Sequence, residues 1–359
     1  MNSMLNTENI AKNTNNMEFG SDFHLCAYPI GKSILDIYQN ANLYIDGRQA
    51  LIDIVKQNQW ERIWVPSYYC YEFVESIRPY IEVKYYNYTP FEDLNQALDK
   101  ITISDKEAIV ISNFFGLNDQ SHNYLKGTII EDHSHDLISD WARNSNADWC
   151  FASLRKTLPV ADGGILWSPK HYNLPRQPRH TEAGDKLADD RYRAMALKSQ
   201  YLEGTKIDKD VFREIYIRTE NEFDMLPISC ISKQSFDIIS QLDIEKWYNT
   251  KRNNWELAAT NIVTTSYIKV LTAATNVHNN HPFSIILMLG SQVLRDKFRT
   301  LLIQNKIYPA ILWSIPSDKC SLSQDFSNTM LSIHCDARYN SEEMMIMINR
   351  INNIIKCLE

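Results

Sequence analysis

The chain has 359 residues and a net charge of −7, with 37 Lys and Arg against 44 Asp and Glu. That length supports a large core and two domains, and the acidic balance excludes the basic footprint of a nucleic-acid binder. No apolar run is long enough to span a bilayer, so no membrane association is expected.

Read in chain order, the first residues, "MNSMLNTENIAKNTNN", are polar and Asn-rich, with no apolar signal core. Residues 1–20 therefore read as a flexible arm. "NLYIDGRQALIDIVKQN" predicts a loop leading into a helix capped near Asp46-Gly47, with Ala50, Leu51, Ile54 and Val55 at helical spacing. "RIWVPSYYC" is a short strand stopped by Pro66, "YEFVESIRPY" a helix, "IEVKYYNY" a strand and "LNQALDKI" a helix. "EAIVISNFFG", "GTIIEDHSHD", "DWCFASLRK" and "GGILW" follow as further strands. Alternating helices and apolar strands predict a parallel or mixed α/β sheet covered on both faces.

From about Ser168 to Gly204 the chain becomes a polar, Pro-containing excursion and then a helix over "KLADDRYRAMALKSQYLEG". "SKQSFDIISQLDIEKWYNTKRNNWELAATNI" reads as one long helical stretch, with the domain change inside it. This gives a large domain over 21–245 and a small α+β domain over 246–359. Seven cysteines, odd in number and without a CxxC pair, argue for reduced thiols in a cytoplasmic protein.

The strands lose their apolar character at their carboxyl ends, at Pro66-Ser67-Tyr68, Asn113, Glu131-Asp132 and Ser153. In open α/β sheets the ligand crevice lies there. Four features fall at those ends. Lys156, in "CFASLRKTLPVADGG", is either a loop lysine or a desolvated amine able to form a Schiff base with a carbonyl. Asp132 is either a cap for the next element or an acid that keeps a pyridinium nitrogen protonated. The glycine of "DGRQAL" is either an ordinary cap or frees helix-start N–H groups for an anion, with Ser153 adding a hydroxyl. The aromatic cluster "SYYCY" is core or a stacking surface for a flat cofactor. A competing reading takes His122, His133, His135 and Asp136 as ligands of a metal-dependent hydrolase.

In order, these segments resemble the DegT/DnrJ/EryC1/StrS family of pyridoxal-phosphate-dependent sugar aminotransferases. The likeness is carried by "GRQAL", "VPSYYCYEFVESI", "NFFG", "IIEDHSHDL", "SLRKTLPVADGG", "IYPAILW" and "LSIHCDARY". It implies the aspartate-aminotransferase-like fold type I: a large domain with a mostly parallel central sheet flanked by helices, and a small C-terminal α+β domain. Carried over by position, Lys156 would hold pyridoxal 5'-phosphate and move protons, and Asp132 would pair with the ring nitrogen. Gly47, Arg48 and Ser153 would bind the phosphate. His135 stands where the family's Gln faces the phenolic oxygen, with the difference that an imidazole can titrate. Tyr69 or Cys70 would stack on the ring.

Two departures are visible. The Ser-x-x-Lys spacing is shorter than the family's, and "FDMLPIS" stands where an Asn-x-Arg segment of the partner subunit normally reaches the phosphate; Arg48 offers a replacement cation. The implied function is amino transfer from an amino acid, glutamate being expected, to a keto sugar, nucleotide-linked, for bacterial polysaccharide or amino-sugar synthesis. A homodimer with shared sites is implied as well. The alternative within the fold is a non-transaminating or regulatory role.

Overall fold

The computed structural model describes residues 17–90, 92–117, 127–272 and 280–358. Five strands read from the sequence form the centre of a seven-stranded sheet: β3 (Arg62–Pro66), β5 (Glu107–Ser112), β6 (Thr128–Asp132), β7 (Trp149–Ser153) and β8 (Gly164–Trp167). β2 (Asn42–Tyr44) and β4 (Glu82–Tyr86) close its two edges, giving the order β2-β8-β7-β6-β5-β3-β4. All pairings are parallel except those of β8, which runs antiparallel to both β7 and β2. Every residue of β5, β7 and β8 is buried, as a strand covered on both faces requires. The edge strand β4 instead alternates exposed and buried positions.

The helices between these strands are α2 (Gly47–Asn58), α3 (Tyr71–Ile77), α4 (Leu94–Leu98) and α5 (Asp140–Arg143), following a short α1 (Ile34–Ile37). Register places the functional ends side by side: Ser112 opposite Asp132, Asp132 opposite Phe151, and Ser153 opposite Gly164. After the sheet come α6 (Glu182–Leu202), α7 (Lys209–Glu222), α8 (Lys233–Ile239) and α9 (Ile244–Asn261). The remaining elements are β9 (Ile268–Val270), β10 (Ile285–Leu289), α10 (Gln292–Gln304), β11 (Ile307–Tyr308), α11 (Ser321–Thr329), β12 (Met330–Ile333) and α12 (Ser341–Lys356). They form an antiparallel sheet β12-β10-β9 and a second hydrophobic core, in which Ala258 and Ile262 pack with Ile285, Phe298 and Met347.

Three expectations change. Asn42–Tyr44, read as a loop before α2, is the edge strand β2, because its backbone pairs antiparallel with β8. The single long helix is two, α8 and α9. Between them the backbone pairs with the segment before α1: Gly31 N donates to Gln241 O at 3.0 Å, Asp243 N to Pro29 O at 2.8 Å and Ile244 N to Lys32 O at 2.9 Å. Those groups cannot also serve a continuous helix. The flexible arm is also shorter than 1–20 at its described end. Phe19 and Gly20 form β1, parallel to β11, and Phe19 is buried against Tyr339 at 5.4 Å between ring centroids. An apolar residue at the end of a polar stretch is what docks it. All seven cysteines are free thiols. No helix among the described residues is long and apolar enough to cross a membrane.

Candidate active site

Lys156 ends a single 3₁₀ turn, Leu154–Lys156, that leaves β7. The loop beyond it is not a surface loop: Leu158, Val160, Ala161 and Asp162 are buried. Asp162 accepts hydrogen bonds from Ser232 N at 2.7 Å, from Ser232 Oγ at 2.6 Å and from Ser235 Oγ, which ties the loop to the start of α8. Trp247 Nε1 donates to Thr157 O at 2.9 Å, and Tyr248 OH to Thr157 Oγ1 at 2.9 Å, tying it to α9. The lysine therefore stands on an over-determined support.

The glycines named from the sequence have distinct reasons. Gly163 has φ +141°, open to glycine and strained for other residues. At Gly164 a Cβ would lie 2.1 Å from Asp46 O, and at Gly47 it would lie 3.1 Å from Ser153 N. The absence of these methyls brings the start of α2 against the ends of β7 and β8.

Lys156 and Arg155 line two adjacent cavities. The first, about 200 Å³, is lined by Asp46, Gly47, Arg48 and Ser153 and by Asp132 and Ser134, with Tyr69, Phe73, Phe151 and Trp313 as aromatic walls. Cys70 lines it as well. Asp132 is fixed from both sides. Its Oδ1 accepts from Ser134 N at 2.9 Å and Ser134 Oγ at 2.5 Å, and its Oδ2 accepts from Tyr69 OH at 2.6 Å. Ser153 N in turn donates to Ser134 Oγ at 2.9 Å. Burial and the neighbouring Asp132 charge hold the Tyr69 phenol well above its ordinary range, so it stays a donor.

Beside the start of α2 lies a charge network. Glu220 of α7 accepts from Arg155 at 2.6 Å and pairs with Arg191 at 3.4 Å and Arg48 at 3.5 Å. Burial alone would raise the Glu220 carboxyl, but Arg155 and Arg191 bring it down to about 2. Arg48 also pairs with Asp224 at 2.7 Å, a residue of the segment "FDMLPIS".

His135 lies behind this cavity rather than on its lining. Its ring stacks on Phe283 at 4.2 Å, Phe115 at 5.6 Å and Trp313 at 5.7 Å. Phe115 N donates to its Nδ1 at 3.0 Å, so the ring proton sits on Nε2. Burial, with Lys156 and Lys251 nearby, pushes its pKa well below the ordinary histidine value, and the imidazole stays neutral.

The metal-ligand reading loses its geometry. His133 Nε2 is 2.8 Å from Glu131 Oε2, Asp136 accepts from Ser139 N and His281 N, and His135 Nδ1 is taken by Phe115. These side chains serve different partners, and His122 lies outside the described residues. Glu131, His133 and Cys150 do converge, but Glu131 already accepts from Trp141 Nε1 and Ser145 Oγ, and all three are buried.

Several lining residues escaped the sequence reading: Asp46 as a cavity group, Arg155 as a site cation, Glu220 and Trp313. Lys156 Nζ lies 5.7 Å from the Trp313 ring centroid. Asp46 and Arg155 stood beside named residues and were legible by adjacency. Glu220 and Trp313 arrive through tertiary contacts alone.

A seven-stranded sheet with one antiparallel strand, a helix start against the lysine-bearing strand end, and an acid on the strand beside it define the fold of the type I pyridoxal-phosphate-dependent transferases. Solved structures of that fold match over nearly the whole chain. Spr1654 from Streptococcus pneumoniae, described as a sugar aminotransferase, matches in its PLP form with 11% identity over 93% of this chain and 94% of that one, TM-score 0.57. PseC from Helicobacter pylori, an aminotransferase involved in pseudoaminic acid biosynthesis, matches with 10% identity over 95% and 100%, TM-score 0.61. A DegT DnrJ EryC1 StrS aminotransferase from Brucella abortus matches with 12% identity over 91% and 91%, TM-score 0.52. At these identities the likeness establishes the fold. No protein-family profile matches the sequence, and no curated protein matches it.

Proposed function

We propose that this protein is a pyridoxal-phosphate-dependent aminotransferase that moves an amino group from an amino acid, glutamate in the first instance, to a keto sugar, nucleotide-linked, in polysaccharide or amino-sugar synthesis. The observation that carries the reading is the position of Lys156, on the wall between two cavities. One cavity has the groups a pyridoxal phosphate needs: an anchored carboxylate, aromatic walls and a glycine-led helix start. The other, about 290 Å³, has Phe23, Met195, Tyr216 and Phe283 as apolar surface and Arg155, Arg191 and His334 as polar groups, and suits the two substrates.

Bound pyridoxal phosphate would supply an electron sink that acidifies the proton on the donor's α-carbon. The chain's residues do the rest. Asp132, held by Ser134 and Tyr69, would accept from the ring nitrogen. Gly47 and Arg48 at the start of α2, with the Ser153 hydroxyl, would hold the phosphate. His135 stays a neutral ring packed behind the cavity's Trp313 wall, and no contact with the phenolic oxygen is assigned to it. Lys156 Nζ takes the substrate proton and returns it, and its access to both cavities lets it do so. Tyr69 and Cys70 both line the cavity as stacking candidates, and the Tyr69 hydroxyl is held on Asp132. A homodimer, the division at residue 245 and a cytoplasmic location belong to the same reading.

The test is the absorption spectrum of the purified protein with pyridoxal phosphate, before and after glutamate. A lysine-bound band that glutamate bleaches, absent in Lys156→Ala, supports the assignment. A Lys156→Ala protein that still transaminates removes it.

A further inference from the structure

We propose that Asp46 helps hold the cofactor phosphate as the neutral acid, donating a hydrogen bond from Oδ2, so that cofactor retention is coupled to one proton drawn from solvent. The inference rests on the reading above and concerns a residue at the end of the cavity where the phosphate would sit. Asp46 is the N-cap of α2, and its Oδ1 accepts from Gln49 N at 2.8 Å. Its Oδ2 is buried and has no partner. The residue is 2% exposed and lines the cavity beside Gly47, Arg48 and Ser153.

The backbone that carries the carboxyl is fixed. Asp46 O closes on Gly164, and the preceding residue is held on both sides, Ile45 N donating to Ser229 O at 3.0 Å and Gly163 N to Ile45 O at 2.6 Å. An anion drawn to the free N–H groups of the helix start meets an acceptor oxygen at the same place. Two oxygens without a proton between them repel. A proton on Oδ2 turns that contact into a short charge-assisted bond.

The charged groups facing Asp46 are Arg48 on its own helix, Arg155 on the turn after β7 and Glu220 on α7. Lys156 shares the cavity. The two guanidiniums are already matched in part by Glu220 and Asp224, which leaves the site short of free positive charge. Burial raises the Asp46 carboxyl despite the pull of Arg48, in agreement with this geometry.

The experiment compares dissociation constants for pyridoxal phosphate and pyridoxal between pH 6 and 8.5 in the native protein, Asp46→Asn and Asp46→Ser. Both probes carry the ring and aldehyde, so the ratio of their constants isolates the phosphate. The phosphate's own ionisation is common to all three proteins. Asn and Ser are both good N-caps, so the helix start survives. The native preference for the phosphorylated probe should fall relative to Asp46→Asn as pH rises, by up to about tenfold per unit once Asp46 ionises. The two variants, which keep a donor at every pH, should share one profile. A native profile that parallels Asp46→Asn, or rises against it, overturns the proposal. Absence of a lysine-bound band with either probe in all three proteins overturns the cofactor reading, and this inference with it.

Discussion

A histidine buried between three aromatic rings is also a pH sensor for the fold. His135 is 3% exposed and its folded pKa is depressed below 6.5. The unfolded chain takes up the proton first as pH falls. The contribution of a neutral His135 is therefore complete above about pH 6.5 and is lost progressively below it, at a slope of at most about 1.4 kcal/mol per unit. Urea denaturation at pH 7.5 and pH 5 should show native stability falling with acid, and His135→Gln should remove this part of the loss. Tyr69→Phe probes the next contact. It takes one of three hydrogen bonds from a buried carboxylate and should cost about 1–3 kcal/mol in the same assay. Lys156→Ala should leave the fold intact, since its neighbours anchor the loop, and lower turnover at least about 10²–10⁴-fold from the lost proton transfer. At this scale the sequence was informative wherever function rests on chemistry local to a strand end. Lys156, Asp132, Ser153 and Gly47 were legible because each breaks an apolar run with a group that has little other reason to be there. Trp313 was not, because nothing near residue 313 refers to residue 156.

The elements that build the site are joined by close backbone contact. α2 meets β8 so tightly that Gly164→Ala would put a Cβ 2.1 Å from Asp46 O, where backbone must shift. Gly47→Ala presses on Ser153 N at 3.1 Å, a milder conflict. Thermal or urea unfolding should rank Gly164→Ala the more destabilising, by about 1–3 kcal/mol or more for overpacking of this kind, with weaker binding of pyridoxal phosphate in both. The strands were readable because fully buried runs such as "EAIVIS" have no other stable disposition in water. The break between α8 and α9 was not. Its apolar spacing continues through Leu242, while the pairing with Pro29–Lys32 and the Asp243 cap of α9 break the helix. α7, which brings Glu220 to the site, passed unread although Phe212, Tyr216 and Thr219 line its buried face at helical spacing.

Over the whole molecule, the second cavity depends on chain segments far apart in sequence. Ser21, Asp22 and Phe23 line it from one end of the chain, and Phe283, Ala310 and His334 from the other. The first group is fastened by Gly20 N donating to Tyr339 OH at 2.8 Å, by Lys198 reaching Gly20 O at 3.3 Å and by Arg338 reaching Asp22 O at 2.9 Å. Phe19→Ala removes the buried ring that seats this segment and should cost about 3–5 kcal/mol. It should also raise KM for the amino donor more than it weakens pyridoxal phosphate, because the first cavity does not include residues 19–23. Steady-state kinetics beside a cofactor titration separates the two effects.

The sequence by itself determined most of the sheet, the fold class and the place of four strand-end groups on one cavity lining, because burial periodicity and scarce glycines are local consequences of how a backbone must be satisfied. Tertiary structure alone decided which cations face which acids, that His135 stays neutral, and that Asp46, a residue of the cavity lining, keeps a buried oxygen without a partner. Those are matters of distance and desolvation between segments that the chain order does not bring together, and Coulomb and burial energies exist only once the fold has set them.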